Sequence, residues 1–197
     1  MSTDSSISIA PAGGAGEASG NDIDSFWASK KESKKKKTQL ERYIENGSPP
    51  GILKFIEIGG GPKMGATLEE FAKFRFKNLI KRKKGKTETG YDHLLGDVFV
   101  EQKSSGLWSD NSFKWQHVEI KHKWNMLLLC GIGYKEIHFW ALSKAHLSAL
   151  ITAGKIKNQG NAAGDSTEGV WFTYSDVKDF LTEIRTDADL TAFAVTL

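Results

Sequence analysis

The segment GYDHLLGDVFVEQKSSG, residues 90–106, places two acidic side chains and a lysine in a pattern that predicts a β-hairpin. Gly96-Asp97 suits a two-residue turn of type II′, because glycine tolerates the positive φ of the first turn position. Pairing the residues outward from this turn sets Asp92 opposite Glu101. Lys103 then shares a face with Glu101, since side chains alternate with a period of two along a strand.

Metal binding is the chemistry that such a hairpin predicts. Directly opposed residues of antiparallel strands hold their Cβ atoms about 4.5–5.5 Å apart, so the carboxylates of Asp92 and Glu101 would repel each other unless a proton or a cation lay between them. Hard divalent cations such as Mg²⁺ prefer carboxylate oxygens as ligands. The alternative is a solvated strand end, where Lys103 only neutralises Glu101.

A helix is predicted directly before the hairpin. Thr67 and Glu70 have the Thr-x-x-Glu spacing of a capping box, and the apolar residues that follow recur with a helical period as far as Lys83. Glu69 lies on the flank of the apolar stripe of this helix, whereas Glu70 is occupied by the cap.

The later part of the chain predicts further strands and helices. Buried strands are expected at residues 126–132 and 136–142, followed by a helix that Ser143 caps and that ends at Gly154. A strand at residues 170–174 then precedes a helix from Ser175 to Arg185. This pattern predicts an α/β domain with a central mixed β-sheet flanked by helices.

The length of 197 residues is typical of one domain, which we expect at residues 38–197. Residues 1–37 are rich in Ser, Gly and Ala and end in the basic run KKESKKKK, so we expect a disordered tail that contacts nucleic acid or acts as a nuclear address. The single cysteine, Cys130, excludes an intramolecular disulfide, and its apolar surroundings predict inert burial. Because no apolar stretch is long enough for a membrane span or a signal peptide, we expect an intracellular protein, cytoplasmic or nuclear.

Positive charge is concentrated in residues 72–86, which contain eight Lys and Arg residues and no acidic residue. The densest part of this segment is Lys81, Arg82, Lys83 and Lys84. A polyanion such as nucleic acid is the partner that this asymmetry predicts. The alternative explanation is a solvated basic end of the predicted helix.

The hairpin motif Asp-x8-Glu-x-Lys, preceded by a helix that offers a glutamate, resembles the PD-(D/E)xK nuclease superfamily. The likeness covers residues 67–143, in which VEQKSS is similar to the Glu-x-Lys strand of that family. WQHVEIKHKWNMLLLCGIGYKEIHFWALS is similar to the Trp-rich connector and apolar strand of some restriction-type members. The resemblance implies a restriction-endonuclease-like fold, a metal-dependent nuclease activity and, since duplex cutting needs two strand scissions, a homodimer.

The resemblance also implies roles for individual residues. Asp92 and Glu101 would bind the metal, and Lys103 would orient the attacking water or help to deprotonate it. Glu69 would add a carboxylate from the preceding helix. Gln116 would lie near the active site and contact the nucleic acid.

Two features of the sequence compete with this assignment. The middle residue of the Glu-x-Lys motif is usually apolar in the family, whereas this chain has Gln102. A second copy, Glu119-Ile120-Lys121, has the apolar middle residue, with Asp97 or Asp110 as its partner. We favour the first copy, because a hairpin register places an aspartate opposite its glutamate.

The sequence therefore predicts a Mg²⁺-dependent endodeoxyribonuclease, with Mn²⁺ as a substitute ion and with basic residues that hold the DNA backbone. One alternative is a non-catalytic nucleic-acid-binding module on the same fold. Another is a structural protein whose charged hairpin is a solvated edge. The residues do not distinguish DNA from RNA, and they do not identify a recognition sequence.

Overall fold

The computed structural model describes residues 37–81, 90–158 and 169–197, and three helices precede the β-sheet within these residues. They are α1 (Gln39–Glu45), α2 (Pro50–Glu57) and α3 (Gly61–Arg75). The capping box predicted at Thr67 is wrong, because α3 begins at Gly61, where Pro62 in the first turn has no N–H to leave unpaired. The Thr67 hydroxyl instead donates a 3.0 Å hydrogen bond to the Lys63 carbonyl within the helix.

The described strands form two sheets. They are β1 (Ile80–Lys81), β2 (His93–Leu95), β3 (Val98–Gly106), β4 (Lys114–Val118), β5 (Met126–Ile132), β6 (Ile137–Ser143), β7 (Lys157–Asn158), β8 (Val170–Thr173) and β9 (Thr182–Glu183). The larger sheet has the order β1-β2-β3-β5-β6-β9, and the smaller has the order β4-β8-β7. In the larger sheet β3 and β5 are parallel and all other neighbours are antiparallel. The predicted α/β class with a central mixed sheet is confirmed.

Two hydrophobic cores lie on opposite faces of the larger sheet, within the compact unit that extends from Lys37 to Leu197. On one face the helices α1 to α3 pack through residues such as Leu68 onto Val100 and Leu128. The other face is covered by the smaller sheet and by α4 (Lys144–Thr152), which pack onto the alternate residues of β5. Each strand at the centre therefore has both faces covered.

The C-terminal segment differs from the single helix predicted over residues 175–185. It contains α5 (Tyr174–Val177), a 3₁₀ turn, the edge strand β9 and then α6 (Asp187–Ala194). Because β9 pairs with β6, tertiary pairing interrupts the helical pattern. Of the helices described, none combines the length and the apolar character required to cross a membrane.

Tyr43 connects α1 to the ends of two central strands. Its ring is fully buried, and its hydroxyl donates to the carbonyl of Ile132 at the end of β5. The same hydroxyl accepts the N–H of Leu107, directly after β3, at 2.8 Å. Burial raises the pKa of Tyr43 to about 12, so the neutral phenol makes both hydrogen bonds over the working pH range.

We predict that Tyr43→Phe lowers the free energy of unfolding by about 1–3 kcal/mol, because it leaves two buried backbone groups without partners. Tyr134→Phe is the matched control, since the hydroxyl of Tyr134 donates to the exposed Asn111 side chain at 2.7 Å. That control should cost less than about 0.5 kcal/mol. Urea unfolding of the two variants measures the difference, and equal losses would contradict the role of Tyr43.

Candidate active site

The β2–β3 hairpin has the predicted register, which runs from the pair His93–Val100 to the residues that flank the turn. Gly96 has a φ of 58°, and it alone of the two turn residues has a positive φ, as a type II′ turn requires. Alternation along β3 places Glu101 and Lys103 on the face that the smaller sheet covers. The turn thus determines which face carries the charges.

Asp92 departs from the pairing predicted for it. Its N–H donates to the Val100 carbonyl at 2.8 Å, so the chain leaves the regular ladder one residue before β2 begins. Its Oδ2 atom accepts the backbone N–H of Gln102 at 2.9 Å. The predicted backbone pairing of Asp92 with Glu101 is therefore wrong, but the Asp92 carboxylate caps the open edge of β3 at the residue next to Glu101.

Glu101 is buried and forms an ion pair with Lys103. Only 7% of Glu101 is exposed, and its Oε1 atom lies 2.7 Å from Nζ of Lys103. The Lys103 side chain keeps 23% of its surface exposed. A solvated strand end, the alternative that the sequence allowed, does not describe this glutamate.

The electrostatics of Glu101 disfavour its charged form. Burial raises the pKa of the Glu101 carboxyl, and the negative charge of Asp92 raises it further. Lys103 and, more weakly, His122 act in the opposite direction. A cation bound near both carboxylates would remove much of this cost, because an opposite charge favours ionisation.

Gln102, the polar residue in the middle of the motif, is buried on the opposite face of β3. Its Oε1 atom accepts a 3.0 Å hydrogen bond from Nε2 of the fully buried His93, and its amide lies 3.4 Å from the Ser104 hydroxyl. The polar middle residue is accommodated because β2 offers it a polar partner. On the same face Cys130 is buried as predicted, and burial raises the pKa of its thiol.

Glu69 is not brought together with the hairpin charges. α3 packs through Leu68 and Ala72 on the face of the sheet that carries Val100, which is opposite to the face of Glu101. Glu69 is half-buried there, and it is not among the charged groups that shift the pKa of Glu101. The helix that carries Glu69 therefore packs on the opposite face of the sheet from Glu101.

The densest part of the basic segment begins in a strand, because the helix α3 ends at Arg75, whereas the sequence predicted a helix as far as Lys83. Lys81 belongs to the edge strand β1 and pairs with His93, the residue that follows Asp92. Arg82, Lys83 and Lys84 lie outside the described residues, as does most of the basic run at residues 30–37.

The second Glu-x-Lys lies in a turn after β4. Strand β4 ends at Val118, and the carboxylate of Glu119 lies 3.1 Å from Nε2 of His122. Asp97 is exposed in the hairpin turn, and Asp110 lies in the loop before β4. The carboxylate of Asp110 lies 2.7 Å from Nζ of Lys114, whereas Glu119 pairs with His122 beside the first site.

His122 is the residue near the site that the sequence did not identify. A protonated imidazole there lowers the pKa of Glu101, and a Cβ atom on Gly90, two residues before Asp92, would lie 2.7 Å from Cβ of His122, so the turn after β4 reaches the hairpin. The spacing Glu119-x-x-His122 is the signal in the sequence, because residues three apart meet in a tight turn. Spacing alone could not show that this turn packs beside Glu101.

Gln116 lies in a β-bulge next to the site. The pairing of β4 with β8 shifts between Trp115 and Val118, and His117 has a left-handed φ of 57°. At its start β4 contacts β3, where the Lys114 N–H donates to the Ser105 hydroxyl at 3.1 Å. Because Ser105 shares a face with Glu101, β4 runs beside the charged face, and Gln116 is half-buried there.

We predict that Glu101→Gln raises the melting temperature at pH 8 without divalent ions. Because the pKa of Glu101 is raised, the folded protein holds the proton of this carboxyl more tightly than the unfolded chain does. The stability of the wild-type protein therefore falls as pH rises above the ordinary carboxyl range. The gain should shrink at pH 4–5, where folded Glu101 is increasingly protonated. Glu136→Gln, in the exposed connection between β5 and β6, is the control and should change the melting temperature little at either pH. A lower melting temperature for Glu101→Gln than for wild type at pH 8 would contradict the electrostatic argument.

The structure thus brings together Asp92, Glu101 and Lys103 of the predicted residues, places Gln116 on a neighbouring strand and adds His122 with Glu119. No family model, curated protein or solved structure matches this chain.

Proposed function

We propose that this chain is a Mg²⁺-dependent endodeoxyribonuclease of restriction-endonuclease-like fold, which hydrolyses the phosphodiester bonds of DNA. The observation that carries the proposal is the buried Glu101 carboxylate, which lies 2.7 Å from Nζ of Lys103 and within the influence of the Asp92 charge. Burying such groups together costs stability, and perturbed carboxylates of this kind are concentrated at functional sites.

The donor atoms of the hairpin suit magnesium. Asp92 uses Oδ2 for the N–H of Gln102 and Glu101 uses Oε1 for Lys103, which leaves one oxygen of each carboxylate for a cation. In the part of the chain that the structure describes, no three His, Cys, Asp or Glu side chains are grouped to hold a metal. Two carboxylates are nevertheless enough for Mg²⁺, which usually completes its coordination with water and substrate phosphates. Mn²⁺ is expected to substitute for it.

The residues of the site would divide the chemistry among them. A bound Mg²⁺ supplies a Lewis acid that polarises the phosphoryl oxygen and lowers the pKa of water. Lys103 offers an ammonium group that offsets the negative charge developing on the phosphate. Glu101 holds that ammonium in place, and the N–H of Gln102 holds Asp92, so neither group has to reorganise during the reaction.

A nucleic-acid substrate is supported by the basic sequence that begins beside the hairpin. Lys81 pairs with the neighbour of Asp92, and residues 82–84 continue the basic sequence. Lys and Arg contacts to phosphate hold the backbone without reading its sequence. A homodimer that cuts both strands, and an intracellular location in cytoplasm or nucleus, belong to the same proposal.

A non-catalytic nucleic-acid-binding module is the second candidate function. The Glu101–Lys103 ion pair favours it, since a carboxylate that is neutralised by lysine can persist without a metal. Such a module would bind DNA in the presence of a chelator and would not cleave it, whichever divalent ion is added.

Plasmid nicking in Mg²⁺ tests the catalytic proposal. We expect wild-type protein to nick the plasmid and chelation to stop the reaction, while Glu101→Gln and Lys103→Met should each lower the rate by about 10²–10³-fold. Glu136→Gln is the control for glutamate removal and should cleave at the wild-type rate. DNA binding without cleavage in any divalent ion would favour the second candidate, and full activity of Glu101→Gln would move the site elsewhere.

Thermal stability tests metal binding separately from cleavage. A cation that binds only the folded state raises the melting temperature with increasing concentration. Mg²⁺ or Mn²⁺ should therefore stabilise the wild-type protein, and Asp92→Asn and Glu101→Gln should abolish that shift. A shift of wild-type size in both variants would show that the hairpin does not bind the ion.

A further inference from the structure

The turn between β4 and β5 holds His122 in a fixed position. The backbone N–H of His122 donates to the Glu119 carbonyl at 3.2 Å, and Nε1 of Trp124 donates to the same carbonyl at 2.8 Å. Nζ of Lys144, from the start of α4, donates to the His122 carbonyl. The Glu119 carboxylate in turn lies 3.1 Å from Nε2 of the imidazole. Backbone and ring are thus both held.

Two further contacts fix this turn relative to the hairpin. Asn125 donates its N–H to the Phe99 carbonyl, and its Oδ1 atom accepts the Phe99 N–H, both at 2.8 Å and two residues before Glu101. At the other end, Gly90 has a φ of 105°, and a Cβ atom there would lie 2.7 Å from Cβ of His122. The chain that enters the hairpin therefore passes directly against His122.

The other groups of the site are poorly suited to accept a proton. Nζ of Lys103 lies 2.7 Å from the Glu101 carboxylate, and an ammonium group has no proton-accepting atom. The remaining oxygens of Asp92 and Glu101 are those assigned to the cation. A neutral imidazole, in contrast, has one acceptor nitrogen and commonly exchanges protons near neutral pH.

The position of Glu119 selects which imidazole nitrogen is free to accept. A carboxylate at Nε2 favours the tautomer that carries its proton there, so that Nδ1 of His122 presents its lone pair. A histidine oriented by a carboxylate is an arrangement that proteins use for general base catalysis.

We propose that His122, oriented by Glu119, accepts the proton of the attacking water, an assignment that rests on the proposed nuclease function. In this step the water oxygen bonds to phosphorus, and the bond from phosphorus to the leaving oxygen breaks. The water proton passes to Nδ1 of His122, and the leaving oxygen takes a proton from solvent. The imidazolium then returns its proton to solvent, which restores the starting state.

Several titratable groups surround His122 and share in any pH dependence. Glu119 lies in its own turn, Lys144 reaches it from α4, and Glu101 with Lys103 and Asp92 lie on the hairpin. The rate of each variant is therefore compared with wild type over a range of pH, which separates loss of a proton acceptor from a change in these neighbours.

Plasmid nicking in Mg²⁺ from pH 5.5 to 9 tests the assignment with the full chain. His122→Asn should lower kcat by about 10²-fold or more while KM stays close to wild type, and it should change the shape of the pH profile of the rate. His146→Asn is the matched control, because His146 is exposed on α4, and it should behave as wild type. Glu119→Gln should lower the rate less and shift the pH profile, and ¹⁵N NMR of the histidines should show that it weakens the Nε2–H tautomer of His122.

The outcomes separate this assignment from the proposed function. If His122→Asn keeps the wild-type rate and pH profile while Glu101→Gln is inactive, the nuclease site stands and the role of His122 is overturned. If Glu101→Gln also cleaves normally, or if the wild-type protein fails to cleave with every divalent ion tested, the hairpin site and the role of His122 both fail. If His122→Asn does not fold, as judged by melting, Glu119→Gln decides, and a wild-type rate and profile for that variant would overturn the assignment.

Discussion

The parallel pairing of β3 with β5 is the interaction on which the rest of the structure depends. It extends without interruption from Val100–Met126 to Gly106–Ile132. Every residue of β5 is buried, because helices cover one face of the sheet and the smaller sheet with α4 covers the other. A strand enclosed on both sides needs a nearly continuous apolar run, and β5 has one. Its neighbour β3 is enclosed by the same layers but carries charges, so those charges are forced into a partly dry environment.

Alternate residues of β3 meet the resulting cost in two different ways. On the helix-covered face, Gln102 is neutral and is satisfied by His93, which makes its burial inexpensive. On the other face, Glu101 is charged, and its ion pair with Lys103 offsets only part of the cost, so its pKa remains raised. A site that lowers stability in this way is typical of positions kept for chemistry rather than for folding. The proposed cation would relieve the repulsion that the fold imposes.

The connection between the two parallel strands brings further polar residues to the charged face of the hairpin. Parallel neighbours require a long crossover, and in this chain residues 107–125 provide it with the strand β4 and a tight turn. That route leads the chain back over the charged face, first past Ser105 and then beside Glu101. The crossover therefore brings the pair Glu119–His122 and the bulge at Gln116 to the site, although these residues lie outside the hairpin. Gly90 permits the final approach, since a larger residue would collide with His122.

Local pattern alone determined the hairpin, its turn and the face shared by Glu101 and Lys103, because period-two alternation and a two-residue turn leave one register. It also determined the strand at residues 126–132 and the α/β class, since a continuous apolar run is recognisable without knowledge of its neighbours. The tertiary structure decided the rest. Asp92 leaves the ladder and its carboxylate accepts the backbone N–H of Gln102, α3 packs on the face opposite to that of Glu101, and β9 replaces a predicted helix by pairing with β6. The place of His122 depends on a crossover whose path is set by packing between residues far apart in the chain, which no spacing along the sequence encodes.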